Sequence, residues 1–323
     1  MKLANQFFLI IAVAGLYSCE NVVEIDVPQR PPQLVLNTYI TSDSLWYVNL
    51  SHSKNVLDNS DYKEIADAQV SIFEDGELVE VLDYQEVSTD NGNSRLYKSD
   101  NHRPQPGKVY RVEAQKSGYQ TVWAETTLPD PVLIEDLTID TSKIITRDYS
   151  SGYKLSLTFN DPADIRNYYQ VELFAKTTRS QVVTYWDEDG NYKDSVQYYT
   201  DFSSIYIEAL DPSISEEQYG YGNTVNFTDG RFNGSSYQFD FLIDEWWVEP
   251  FINNSSSDEE ALFEIVLRNI NEAIYLYETT ADLQDWYSGD PFSEPVPVYS
   301  NIENGYGVLG AYASDKKSLS LKK

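Results

Sequence analysis

From Leu34 onward apolar residues recur at every second position, and this alternation decides what the chain can build. Successive side chains of a strand point to opposite faces, so a period of two buries one face and wets the other. Leu34, Leu36 and Ile40 share one such face, and Trp46, Val48 and Leu50 share the next. Ala68, Val70 and Ile72 follow, then Tyr110, Val112 and Ala114 with Arg111 and Glu113 opposite, then Val122 and Ala124. Turn-forming clusters separate these segments: Ser42-Asp43, Glu74-Asp75-Gly76, Asp90-Asn91-Gly92-Asn93 and Lys116-Ser117-Gly118. About seven short strands in roughly 100 residues predict a small Ig-like β-sandwich over residues 33–128.

Leu128-Pro129-Asp130-Pro131 interrupts the pattern, because two prolines so close cannot sit in a central strand. A second β-rich domain is expected over residues 132–315. There Leu155, Leu157 and Phe159 alternate with polar residues, as do Tyr169, Val171, Leu173 and Ala175 between Gln170, Glu172, Phe174 and Lys176. Ile205, Ile207 and Ala209 repeat the pattern, then Tyr237, Phe239, Phe241 and Ile243, then Phe263, Ile265 and Leu267 with Glu264 and Arg268 opposite. One helix is expected after Asn271, which can cap it, with Glu272 in its first turn and Ile274, Tyr277 and Ala281 on one face. The predicted class is all-β, mainly antiparallel β-sandwiches, with one or two short helices in the C-terminal part. Residues 316–323 hold four lysines and are expected to form a basic tail.

The N-terminus carries an address. Met1-Lys2 precedes an apolar run from Phe7 to Leu16, too short to span a bilayer of ~30 Å as a helix. The segment therefore predicts a cleaved signal peptide over residues 1–18. The only cysteine, Cys19, follows the small Ser18, and Leu16-Tyr17-Ser18-Cys19 resembles the lipobox of a bacterial lipoprotein. That resemblance implies cleavage between Ser18 and Cys19 and a diacylglycerol on the Cys19 thiol. Each buried acyl CH₂ contributes ~0.8 kcal/mol, so two or three chains hold a protein at a membrane. Residues 19–32, with Pro28, Pro31 and Pro32, read as an extended tether. The expected location is the outer membrane, anchored by lipid and exposed on the cell surface, with a periplasm-facing orientation kept open.

Charge and residue counts exclude several function classes. Lys and Arg number 23 against 52 Asp and Glu, a net charge of −29 that would repel nucleic acid. One Cys and two His argue against a Cys- or His-ligated metal, and no metal or other cofactor is expected apart from the lipid. His52 and His102 lie in no recognisable nucleophile setting, no phosphate-cradling glycine loop is present, and no catalytic residue is assigned. Asp187 through Asp194 has carboxylates at calcium-loop spacing, but Tyr198 stands at the twelfth position where a chelating Glu belongs. A hairpin turn at Asp189-Gly190 is the preferred reading, with calcium binding elsewhere on the acidic surface left open. Trp246-Trp247, after a predicted strand, are candidates for contact with a ligand or partner; alternation would bury one and expose the other.

Several segments together resemble a Bacteroidota lipoprotein family, domain of unknown function 4249. They are the early strand Gln33 to Ile40 after the lipobox Cys19, and Ile65 to Ile72 and Gly107 to Val112 with Gly118-Tyr119, the last two resembling carboxypeptidase-regulatory-like sandwiches. In the second half they are Asn160-Asp161-Pro162 with Asn167-Tyr168-Tyr169, Phe227 to Gly234, Pro291 to Val296, and Ser300 to Gly307 with Asn304 where the family usually has Gly. The resemblance implies an outer-membrane lipoprotein, a non-enzymatic accessory or ligand-capture partner of a TonB-dependent transporter. The alternative expectation is a cell-surface adhesin or glycan-binding protein, suggested by 14% aromatic residues. A hydrolase of surface polymers ranks last.

Overall fold

The computed structural model describes residues 31–55, 58, 60, 63–89, 92–146, 150–215, 223–253, 259–288, 293–294 and 296–322. Ser18 and Cys19, the signal segment, most of the tether, and Asp90, Asn91, Pro291, Phe292 and Pro295 lie outside them. The protein is mostly β and largely antiparallel, as the alternation requires.

Among the described residues, seven strands form the first half: β1 (Leu34–Ile40), β2 (Tyr47–His52), β3 (Gln69–Glu74), β4 (Glu77–Thr89), β5 (Gly92–Lys98), β6 (Val109–Gln115) and β7 (Val122–Thr127). Nine more follow: β8 (Ile134–Ile145), β9 (Ser151–Asn160), β10 (Tyr168–Trp186), β11 (Tyr192–Ile205), β12 (Glu208–Ala209), β13 (Thr224–Thr228), β14 (Ser236–Asp244), β15 (Glu260–Ile270) and β16 (Tyr306–Leu321). The helices are α1 (Pro212–Ser215), α2 (Glu249–Asn253) and α3 (Glu272–Tyr287). A 12-stranded sheet runs β11-β10-β15-β16-β1-β2-β5-β4-β3-β6-β7, with β13 beside β10, and a second sheet runs β12-β14-β9-β8.

Two main cores result. In the first, Leu34 and Leu36 of β1 pack with Val70 and Ile72 of β3, Val112 of β6 and Val122 of β7, so the large sheet folds over on itself there. In the second, Leu155, Leu157 and Phe159 of β9 and Phe239 and Phe241 of β14 meet Val171 and Leu173 of β10 and Phe263 and Ile265 of β15, one sheet stacked on the other. Leu128 belongs to the first core and Val132 to the second.

Strand β16 serves both. Its first part pairs parallel with β1, Val35 against Tyr306 through Ile40 against Ala311. Its second part pairs antiparallel with β15, Ile270 against Tyr312 through Ala261 against Leu321. Ile302, Leu309 and Ala311 therefore sit in the first core, although they lie inside the stretch 132–315 expected to form the second domain. The expected basic tail differs too. Lys316 and Lys317 lie within β16: Lys316 pairs with Glu264, and the Lys317 ammonium donates to the Glu135 carbonyl, while Lys322 follows the end of the strand and Lys323 lies outside the described residues. The segment Ser300–Gly307 explains its own composition. Asn304 adopts φ +62°, the left-handed conformation Asn tolerates. Gly307 has φ +108°, and a Cβ there would lie 2.1 Å from the Leu36 carbonyl oxygen.

Candidate functional site

Helix α3 begins as the sequence predicts. The Asn271 side chain accepts from the Ile274 N–H at 3.0 Å, and Ala273 and Ile274 are buried. Its Ile274 packs with Tyr168 and Ile270, and Gly310 of β16 leaves it room, since a Cβ there would lie 2.5 Å from Ile274 Cγ1. Between α3 and the outer face of the large sheet lies a cleft of about 470 Å³, a usual size for a small-molecule site. Its floor consists of the polar positions that alternate with the core residues of β10 and β15. Those side chains point away from the sandwich and meet the helix instead of solvent.

The floor is one connected hydrogen-bond row. In register, Gln170 of β10 stands between Asn226 of β13 and Arg268 of β15. The Arg268 guanidinium donates to Gln170 Oε1 and to Glu172 Oε2, both at 2.7 Å, and lies 5.5 Å from the Tyr312 ring centre. The Gln170 amide donates to Asn226 Oδ1 at 3.1 Å and to Glu278 Oε2 at 2.7 Å, and the Asn226 amide donates to the same Glu278 oxygen at 3.0 Å. Among the described residues, the second Glu278 oxygen accepts only a long bond, 3.4 Å, from the Tyr39 hydroxyl. Burial pushes the Glu278 carboxyl above its ordinary range, although the Asn226 amide and the Tyr39 hydroxyl pull it back. Burial and the neighbouring Glu278 drive the Tyr39 phenol far up, and burial raises Tyr312. Asp282, one turn beyond Glu278 on an exposed part of the helix, is also raised, first by the flanking protein and then by Asp285. Tyr277 completes the aromatic lining. The arrangement lines the cleft with polar groups held by one another and with three tyrosine side chains.

Sequence reasoning did not single out this site. One signal was present: Glu278 falls four residues after Ile274, on the apolar stripe of the helix, where a carboxylate needs partners.

The other candidates lie apart from the cleft. Trp246 and Trp247 occupy a 3₁₀ turn, Glu245–Trp247, whose N-terminal N–H is capped by Asp244. Trp247 packs against the second core, while Trp246 is 62% exposed with the Arg179 guanidinium 4.8 Å from its ring centre. Trp247 is thus partly buried and Trp246 exposed, set by a tight turn instead of strand alternation. Asp187–Asn191 forms the hairpin turn between β10 and β11: Asp187 Oδ1 accepts from the Asp189 and Asn191 N–H groups, and Oδ2 pairs with Lys193 at 3.0 Å. His52 ends β2, and His102 lies 3.2 Å from Glu74.

Beyond Thr178, where its ladder with β15 ends, β10 continues with β11 as a two-stranded ribbon. Register places Val182, Trp186, Tyr192, Val196, Tyr198 and Phe202 on one face, all largely exposed. Such a ribbon is marginal alone in water, and this one carries exposed apolar side chains along one face.

The family model described as Domain of unknown function (DUF4249) matches residues 20–318. The chain belongs to this family. Comparison with curated proteins gave no match. All cleft residues lie within the DUF4249 span, and Cys19 immediately precedes it. The DUF4249 segments Asp161-Pro162, Asn167-Tyr168-Tyr169 and Phe227 to Gly234 come together as one buried knot. Asp161 accepts from the Tyr169 hydroxyl and, at 2.8 Å, from the Gly234 N–H; Asp229 accepts from the Asn167 N–H at 2.8 Å. Asp161, Asn167, Tyr169 and Asp229 are all buried. Burial raises the Asp161 carboxyl and, with Asp161 beside it, the Tyr169 phenol. The knot locks turns beside the second core, a structural role for these DUF4249 residues.

Proposed function

We propose that this protein is a non-enzymatic lipoprotein of the outer membrane that captures a small polar ligand in the α3 cleft and serves a TonB-dependent transporter. The observation that carries the capture reading is the cleft itself, whose polar groups are already held in place by Gln170, Asn226, Arg268 and Glu278. Preorganised groups cost a binding site less ordering when the ligand arrives. The anchoring part rests on the lipobox-like Ser18-Cys19 pair, and the transporter part on the family resemblance. This reading assigns the exposed aromatic face of the β10–β11 ribbon to the transporter.

The test is purification of the tagged full-length protein from detergent-solubilised membranes. The expected result is an acylated Cys19 terminus, together with an outer-membrane receptor identified by mass spectrometry as TonB-dependent. Recovery as a soluble monomer with an unmodified thiol would contradict the proposal. Cys19→Ser should move the protein out of the envelope fraction.

A further inference from the structure

We infer that the α3 cleft takes a cationic ligand, one that carries a primary amine or a guanidinium group. The inference deepens the capture reading and rests on it. Three carboxylates line the cleft, Glu172, Glu278 and Asp282, against a single cation, Arg268. That cation is committed: its guanidinium is bonded to Glu172 and Gln170 and lies by the ring of Tyr312. The Glu172–Arg268 pair cancels, so the guest meets the charge of Glu278 and Asp282.

These two stand four residues apart on one helix face, a spacing at which like charges oppose each other. The repulsion is felt at Glu278, where Asp282 acts with burial to raise the carboxyl. Within the floor, the donors to Glu278 converge on Oε2, which receives both amides. Among the described residues Oε1 has only the 3.4 Å contact from Tyr39, and a carboxylate oxygen can accept more than one donor. An ammonium or guanidinium placed beside Oε1 would satisfy it, relieve the Glu278–Asp282 repulsion, and gain from the electron-rich ring faces of the lining tyrosines. An anionic guest gains none of this, and the net charge of −29 repels it from a distance.

The probes are agmatine and glucosamine, with glucose as the neutral counterpart. Titration calorimetry is done on the full-length protein in detergent at about 0.15 M salt, which suppresses diffuse attraction to the acidic surface. Both amines should bind at least tenfold tighter than glucose. Glu278→Gln should weaken them at least tenfold and Asp282→Asn severalfold. Asp201→Asn, the same charge change on the distant ribbon, should leave binding unaltered. Amine affinity of the wild type should also fall as acid protonates Glu278. Circular dichroism of each variant checks the fold, and the exposed Asp282 provides a second variant should Glu278→Gln unfold. Amines no tighter than glucose, or equal losses in Asp282→Asn and Asp201→Asn, would overturn the inference. If glucose then binds in a manner sensitive to Asn226→Ala, capture survives and only the charge assignment falls. If no probe of either kind binds, the capture reading loses its support as well.

Discussion

Replacing Gly307 by alanine tests whether β16 holds the two cores together. Gly307 combines two demands. Its φ of +108° is one that L-residues avoid, at a cost of about 1–2 kcal/mol. A Cβ would also lie 2.1 Å from the Leu36 carbonyl oxygen and 2.7 Å from its carbon, so β16 must shift away from β1. Forcing atoms into a packed site adds roughly 1–3 kcal/mol. The matched control is Gly76→Ala, where φ is +87° and nothing lies within 4 Å of the added carbon. Gly76→Ala should therefore cost only the backbone part, about 1–2 kcal/mol, and Gly307→Ala about 2–5 kcal/mol. Urea denaturation of the two variants reads the difference. Amide exchange in Gly307→Ala should quicken at Val308–Ala311, the residues paired with β1. Costs equal within about 0.5 kcal/mol, with exchange unaltered, would refute the claim that β1 and β16 must approach this closely.

Three further outcomes follow from the same contacts. Tyr169→Phe removes the hydroxyl that Asp161 accepts in the buried knot and should cost about 1–2 kcal/mol in denaturant titration; a neutral effect would mean the knot is not structural. The Glu278 carboxyl is raised above its ordinary 4.5, so its stabilising contribution is full below that value and is lost as pH rises through the folded pKa. Glu278→Gln should accordingly gain stability relative to wild type as pH rises from about 4.5 through the folded pKa, and a difference that stays constant from acid to neutral pH would contradict the burial of this carboxylate. Trp186→Ser combined with Phe202→Ser, both on the exposed ribbon face, should alter stability by less than about 1 kcal/mol yet abolish recovery of the transporter; unchanged recovery would remove the ribbon from that contact.

Alternation is a local property, which is why it reads so directly. Leu155, Leu157 and Phe159 must share a buried face whichever strands flank them, and the same holds for Phe263, Ile265 and Leu267. The helix after Asn271 is equally local, fixed by a cap and an apolar stripe. Strand partnership is not local. Val308 donates to the Asn37 side chain across 271 residues, and no residue near either position announces that pairing. Lys316 and Lys317 read as a tail because four lysines in eight residues match a solvated segment; the pairing with β15 makes these two sheet. The cleft was hidden for the same reason. Gln170, Asn226 and Arg268 are ordinary solvent-side residues in their own strands, and become a site only when three strands align them beneath Glu278. Trp246 and Trp247 drew notice by composition, yet they lie apart from that row.

The claim that the α3 cleft is a ligand site is tested most directly by native mass spectrometry of the full-length protein drawn from its own envelope in mild detergent. Ala281 lines the cleft, and Ala281→Trp fills it without altering charge. The wild type should release a small polar molecule on collisional activation, and Ala281→Trp should release none. A wild type that carries nothing, or the same adduct on both proteins, would contradict the assignment.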